Sequence, residues 1–252
     1  MNSKKLPTRI LLVDDHPLMR QGLSLLINQE KDLAVCGEAD NAHTALEAIA
    51  ATKCDVAILD IALGTTNGIE LLKNIKIRHP DVLVLMLSMH DETVYAPRAL
   101  RAGANGYVMK HEAAERVLIA VRKIVEGEVY LSEKLGARLL NQLAGEGRMT
   151  GSPIEELSDR ELQVFEFLGQ GLGTRPIADR LHLSVKTVES HRAHIKEKLH
   201  LKTATDLVHH AIQFQWVQTE PLEPRHRGTV LADSSNLRAG SGNNRSVTAR
   251  AI

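Results

Sequence analysis

Ile10-Leu11-Leu12-Val13-Asp14-Asp15 decides how the first half of this chain is read. Four apolar residues run straight into a pair of carboxylates. The same pattern returns at Val56-Ala57-Ile58-Leu59 before Asp60, at Val82 to Leu87 before Ser88, and at Tyr107-Val108-Met109 before Lys110. Continuous apolar runs of this length mark buried parallel strands, covered by helices on both faces. In open α/β sheets the ligand crevice lies outside the carboxyl ends of the strands. Asp14, Asp15, Asp60, Ser88 and Lys110 therefore belong on one sheet edge.

Those residue types suit one chemistry together. Clustered carboxylates hold a hard divalent cation, and Mg2+ prefers oxygen ligands completed by phosphate. A lysine opposite supplies a point charge for a phosphate, and a serine hydroxyl donates to a phosphoryl oxygen. One carboxylate then serves as nucleophile and forms an aspartyl phosphate. A lone Asp after a strand is ordinarily a loop residue. It is the joint occurrence, in this order, that points to a phosphate-accepting pocket.

Arg9 to Gly127 resembles a response-regulator receiver domain, and the chain as a whole resembles the NarL/FixJ-type transcription regulators. The resemblance rests on Val13-Asp14-Asp15-His16, on Asp60 followed by Gly68-Ile69-Glu70, on Ser88, and on Ala102-Gly103-Ala104-Asn105-Gly106-Tyr107 leading to Lys110. It implies that Asp60 accepts a phosphoryl group from a sensor histidine kinase. It also implies that Asp15, Asp60 and the backbone carbonyl of Ala62 ligate Mg2+, with Asp14 acting mostly through water. Tyr107 falls on the family's switch aromatic, whose rotamer follows Ser88. Two departures stand out. Gly64 replaces the usual proline, so a looser loop is expected after Asp60. Pro97 lies inside the fourth helix, which should start near Ala96 or kink.

The remaining receiver segments alternate. Helices are expected over Met19 to Gln29, Thr44 to Thr52, Gly68 to Arg78 and Ala113 to Glu126, with a second strand at Leu33 to Glu38. The last helix turns Val117, Val121, Ile124 and Val125 inward at helical spacing. Five βα units of this kind match a doubly wound, flavodoxin-like sheet of order 2-1-3-4-5.

Composition sets the outer bounds. A length of 252 residues suits two domains plus extensions, and 31 basic against 31 acidic residues leave no net charge to argue for nucleic acid. No apolar run approaches the roughly 20 residues that span a bilayer. Residues 1–8 form a polar extension without the apolar core of a signal peptide. Cys36 and Cys54 read as buried thiols of a reducing, cytoplasmic compartment, with a disulfide between them the lesser option.

Past Gly127 the pattern changes. Leu131 to Leu143 suits a modest helix capped by Ser132, with Leu135, Leu139, Leu140 and Leu143 on one face. Ala144 to Pro153 is rich in breakers and reads as a flexible part of a linker that spans 128–155.

A second, all-α domain is expected over 156–218. Ser158 and Glu161 have capping-box spacing, and Leu157 and Leu162 sit at the staple positions. That helix should reach about Leu168. The next starts after Thr174 with Pro176 in its first turn, and Ser184 caps a third that runs to Leu199. These segments resemble a LuxR-type helix-turn-helix. The matching residues are Leu157-Ser158, Arg160-Glu161, Ile177-Ala178 with Leu181, Ser184 to Val188, His191, Ile195 and Lys198-Leu199. Gly173-Thr174-Arg175-Pro176 departs from the family's Ser-Asn-Lys-Glu, so a different cap is expected there.

On the third helix Val188, Arg192, Ile195 and Leu199 share the core side, by 100° per residue. A recognition helix enters the major groove N-terminus first. Lys186, Glu189, Ser190 and Ala193 are then the candidates for base edges, flanked by His194. Lys186 suits guanine, Glu189 cytosine and Ala193 a thymine methyl. Thr187, Arg192, Lys196, Lys198 and Lys202 suit the DNA backbone, which fixes register. Five cations against Glu189 and Glu197 leave this surface weakly basic, which argues for dimers on paired half-sites. The family resemblance assigns dimerisation to Ala204 to Trp216.

After Thr219 the chain is poor in large apolar residues and should be disordered. Its five arginines against three acids offer a nonspecific attraction for DNA as the lesser reading. His191 with His194, and His209 with His210, lack the convergent N/S set that zinc requires. Two rival functions remain. One keeps DNA binding but makes the first domain a phosphate-independent docking module. The other is a Mg2+-dependent phosphatase with Asp60 as nucleophile. Such sites carry a second acid two residues on, where this chain has Ala62.

Overall fold

The computed structural model describes residues 6–64, 66–112, 114–144 and 153–219. In chain order come β1 (Thr8–Val13), α1 (Pro17–Asn28), β2 (Leu33–Ala39), α2 (Ala42–Thr52), β3 (Val56–Leu59), β4 (Ala62–Leu63) and β5 (Thr66–Asn67). Then follow α3 (Gly68–Arg78), β6 (Leu83–Ser88), α4 (Glu92–Arg101), β7 (Gly106–Met109) and α5 (Ala114–Val125). Five strands form one parallel sheet in the order β2-β1-β3-β6-β7, while β4 and β5 pair antiparallel on their own. Counting only the strands of the large sheet, the order is 2-1-3-4-5. This is the doubly wound fold that the apolar runs imply.

Side-chain alternation builds the two layers. Ile10, Leu12, Ile58, Leu85, Leu87 and Val108 point to one face and bury Leu23 and Ile27 of α1 with Val117, Val121 and Ile124 of α5. Leu11, Val13, Ala57, Leu59, Val84, Met86 and Tyr107 point to the other, against Ala45, Ile49, Leu72, Ile75 and Ala99 of α2, α3 and α4. Register aligns the carboxyl ends: Val13 pairs with Leu59, Leu59 with Met86, and Ser88 with Met109. Asp14, Asp60 and Lys110 each follow one of these residues in the chain.

Of the two expectations for α4, the late start does not hold. The helix begins at Glu92, not near Ala96, and contains Pro97. Proline removes one N–H and one hydrogen bond. The first turn holds because Asp91 Oδ1 accepts the Thr93 N–H at 2.7 Å, and because Val94, Tyr95 and Ala96 are buried. Gly68 is required where it stands. A Cβ there would lie 2.0 Å from the Asp60 carbonyl, so only glycine lets α3 start hard against the loop after β3.

Beyond α5 the chain returns to the free edge of the sheet. The Tyr130 N–H donates to the Asn105 carbonyl at 3.0 Å, and the Tyr130 carbonyl accepts the Tyr107 N–H at 2.9 Å. α6 (Glu133–Leu143) follows, capped by Ser132, whose hydroxyl oxygen accepts the Leu135 N–H at 3.1 Å. The proposed flexible stretch after Ala144 lies outside the described residues up to the 3-10 turn at Pro153–Glu156. The tail after Thr219 lies outside them too.

The C-terminal half is helical: α7 (Asp159–Gly169), α8 (Thr174–Leu181), α9 (Val185–Lys198) and α10 (Ala204–Thr219). The Ser158 hydroxyl oxygen accepts the Glu161 N–H at 3.3 Å, and the Glu161 carboxylate accepts the Ser158 N–H at 2.7 Å, completing the capping box. α8 starts at Thr174 itself, with Gly173 as an N-cap that offers no side-chain bond. Leu162, Phe165, Ile177, Leu181, Val188, Ile195, Leu207 and Ala211 form the buried centre of these helices.

Both halves fall within one contact unit, residues 1–220, and charged groups join them. Lys73 of α3 donates to Asp159 at 2.7 Å, and Arg98 of α4 reaches the same carboxylate at 3.2 Å. Arg98, itself buried, also donates to the carbonyls of Ile154 and Glu155. Burial works to raise the Asp159 carboxyl, but these two cations outweigh it and hold the acid below its ordinary range.

Candidate functional site

Four strand ends deliver the pocket. Asp14, Asp60 and Ser88 are 4%, 3% and 0% exposed, a degree of burial that carboxylates tolerate only with partners. Lys110 is that partner. Its ammonium lies 2.6 Å from Asp60 Oδ2 and 2.7 Å from Asp14 Oδ2. Burial pushes the Asp60 carboxyl up, and Lys110 only partly counters it. Burial pulls the Lys110 ammonium down, but Asp60 and Asp14 more than offset this and hold it above its ordinary value. The pocket is thus a compact, desolvated site with one cation shared between two acids.

Asp14, Asp15, His16 and Asp60 offer one ligand atom each within 4.8 Å of one another. Asp15 Oδ2 accepts the Gly64 N–H at 3.1 Å. Asp15 Oδ1 is buried and has no hydrogen-bond donor, although His16 Nδ1 stands 2.8 Å away. Two groups here were not assigned a role from sequence. His16 lies against both acids, 3.1 Å from Asp14 Oδ1, and Arg20 of α1 donates to the Asp14 carbonyl. His16 sits within the quoted motif and was open to notice. Arg20 is an ordinary helix residue until the fold turns it inward.

Ser88 lies beside the loop that leads to α4. Its hydroxyl oxygen accepts the His90 N–H at 3.2 Å, and its carbonyl accepts the Lys110 N–H at 2.8 Å. Tyr107 is almost fully buried, and its hydroxyl donates to the His90 carbonyl at 2.7 Å. The sequence-derived pocket residues Asp14, Asp15, Asp60, Ser88, Tyr107 and Lys110 therefore all come to the same end of the sheet.

The helical half carries the second surface. Lys186, Glu189, Ser190, Ala193 and His194 are exposed on α9, and Lys202 is exposed in the turn after it. Thr187 is half-buried, its hydroxyl 2.7 Å from that of Ser184. Two of the cations assigned to the DNA backbone have protein partners. Arg192 donates to the Thr174 hydroxyl and lies 3.5 Å from Glu189. Lys198 donates to Glu161 at 2.7 Å and to the Glu156 carbonyl at 3.1 Å. Glu189 is three residues from Arg192 on α9 itself, but Thr174, Glu161 and Glu156 come from other elements, which a helical wheel cannot show.

Cys36 and Cys54 are free thiols, and burial pushes that of Cys54 up to about 11. Among the described residues no helix is long and apolar enough to cross a membrane.

A parallel sheet with acids at its carboxyl edge, followed by four helices with an open α9, defines a receiver joined to a helix-turn-helix. Family comparison agrees: residues 10–122 match the response regulator receiver domain, and 155–211 match the bacterial regulatory proteins of the luxR family. The chain is 33% identical over 211 residues to the oxygen regulatory protein NreC of Staphylococcus epidermidis, covering 81% of this chain and 97% of that protein. NreC of Staphylococcus haemolyticus is 34% identical over 210 residues, with the same coverage. The chain belongs to the NarL/FixJ-type response regulators, DNA-binding proteins that regulate transcription. Among solved structures, a LuxR-family two-component response regulator from Aurantimonas sp. SI85-9A1 is 30% identical, with a TM-score of 0.52 over 55% of this chain and 99% of that one. RcsB of Salmonella enterica serovar Typhimurium, bound to promoter P1flhDC with a phosphomimetic, shares the fold at 23% identity. Its TM-score is 0.63 over 82% of this chain and 98% of that one.

Proposed function

We propose that Asp60 is phosphorylated by a sensor histidine kinase and that this modification controls binding of a dimer to DNA. The observation that carries the reading is the buried Asp60–Lys110–Asp14 group at the carboxyl ends of β1, β3 and β7. An oxygen of Asp60 attacks the phosphorus of the donor phosphohistidine. The P–N bond breaks, its electron pair stays on the donor imidazole, and an O–P bond forms. Lys110 offsets the added charge, Ser88 donates its hydroxyl to a phosphoryl oxygen, and Tyr107 follows Ser88. In this reading the protein catalyses only its own phosphorylation and dephosphorylation.

The donor set fits Mg2+. Asp14, Asp15, Asp60 and the Ala62 carbonyl would hold it, and the orphaned Asp15 Oδ1 is the atom most in need of a cation. The ion supplies charge neutralisation for the phosphoryl oxygens when bound.

The reading divides the chain into a receiver over 9–127, a linker over 128–155 and a DNA-binding domain over 156–218, acting in the cytoplasm. Lys186, Glu189, Ser190 and Ala193 face base edges. Thr187, Arg192, His194, Lys196, Lys198 and Lys202 flank them, with Arg192 and Lys198 drawing partly on the protein contacts above. α10, with Trp216 exposed, supplies the dimer contact.

Incubation with acetyl phosphate and Mg2+, followed by intact mass and a DNA-binding isotherm, tests this. The expected result is one added phosphoryl group on wild type, none on Asp60→Asn, and tighter DNA binding only where the group is added. DNA binding indifferent to the label would leave the docking-module reading standing. Turnover of small phosphate esters would favour the phosphatase.

A further inference from the structure

The DNA-binding half reaches the phosphoacceptor machinery through one short loop. Residues 89–91 join β6 to α4 and are held from inside the receiver by the Ser88 and Tyr107 contacts of His90. α7 holds the same loop from outside. Glu166 Oε1 lies 3.4 Å from His90 Nδ1 and accepts a hydrogen bond from the Tyr95 hydroxyl. The rings of His90 and Tyr95 pack with centroids 4.6 Å apart. Tyr95 is 1% exposed, so the contact lies in the buried seam between the halves. Burying a carboxylate is costly, and burial pushes the Glu166 carboxyl up despite His90 and Tyr95. Nothing in base or phosphate recognition calls for an acid at that place.

We propose that Glu166 restrains the phosphoryl chemistry at Asp60, acting across the domain boundary through His90. The proposal rests on the phosphoacceptor reading above. When Ser88 turns its hydroxyl to a phosphoryl oxygen, it gives up its present geometry with the His90 N–H. Tyr107 gives up the His90 carbonyl when it follows. The loop then shifts, and the His90 ring is drawn off Glu166 and Tyr95. A contact made in one state and lost in the other biases the equilibrium between them. The bias is reciprocal, so whatever Glu166 contributes to docking is subtracted from the pocket's affinity for a phosphoryl group.

The test uses the full chain with Mg2+ and beryllofluoride as an unreactive phosphoryl stand-in, with binding followed by fluorine NMR. Glu166→Gln keeps the shape and removes the charge that faces His90. It should bind beryllofluoride about fivefold more tightly, the low end of measured site-to-site couplings. In a His90→Ala background the same substitution should gain less than about twofold, because the coupling partner is gone. Tyr95→Phe, which keeps the ring and deletes the hydroxyl bond, should tighten binding in the same direction and guards against a misfolded first variant. Equal affinity in wild type, Glu166→Gln and Tyr95→Phe overturns the proposal. So does an equal gain with and without His90, which would make Glu166 a general docking residue. A wild-type chain that binds no beryllofluoride removes the phosphoacceptor reading as well, so the two failures are told apart.

Discussion

The receiver pocket and the α9 surface solve opposite problems. In the pocket two carboxylates are withdrawn from water and share one ammonium at 2.6 and 2.7 Å. On α9 the residues facing outward, Lys186, Glu189, Ser190 and Ala193, are left exposed, Glu189 accepting a hydrogen bond from the Thr174 hydroxyl and Ser190 donating to the Lys186 carbonyl. Chemistry on a phosphoryl group gains from preorganised charge in a dry site. Reading a groove requires side chains that stay solvated until DNA replaces the water. One half is therefore sensitive to the loss of a single charge, and the other to the loss of contact area and register.

Four substitutions sharpen that contrast, from the largest effect downward. Lys110→Met leaves Asp14 and Asp60 facing each other without a cation in a buried site. Removal of one partner from a buried ionic group costs roughly 3 kcal/mol, and urea unfolding without Mg2+ should show a loss of that order. A loss below about 1 kcal/mol, the scale of exposed pairs, would mean the pocket is wetter than its geometry implies. Lys186→Ala should leave the unfolding midpoint alone and weaken specific DNA binding about tenfold, the scale of one base contact. An isotherm unchanged on the target and on random duplex would remove Lys186 from the recognition surface.

The smallest effect concerns the capping box. Ser158→Ala should cost about 1 kcal/mol. Its partner Glu161 gives the cost a pH signature. Burial works to raise the Glu161 carboxyl, but the Lys198 and Ser158 hydrogen bonds outweigh it and hold the acid below its ordinary range. A depressed carboxyl stabilises the fold above its unfolded pKa, and that contribution is lost as pH falls through the folded value. The stability gap between wild type and Glu161→Gln should therefore be full at neutral pH and close in acid. A gap that stays constant as the pH is lowered into the acid range would show that Lys198 does not set the acid.

Much of this was open to reading because its signals are local. Apolar runs that end in Asp14, Asp60, Ser88 and Lys110 specify strand, edge and pocket together, and Ser158 with Glu161 specifies a helix start three residues at a time. A start near Ala96 follows from the local rule against proline alone, and the Asp91 cap and the buried first turn override it. Arg20, the Lys198–Glu161 pair and the Glu166–His90 contact were beyond reach for another reason. Each joins residues that meet only once distant elements have packed, and no spacing along the chain encodes them.

Tyr130 has a practical bearing on how the receiver would behave alone. An outermost strand with bare amides and carbonyls is a template for sticking to another molecule. Here the backbone of Tyr130 occupies that row beside Asn105 and Tyr107. A chain trimmed at the end of α5 would lose this lining and bare an adhesive border next to Tyr107. One carried through Ser132 keeps it sheathed.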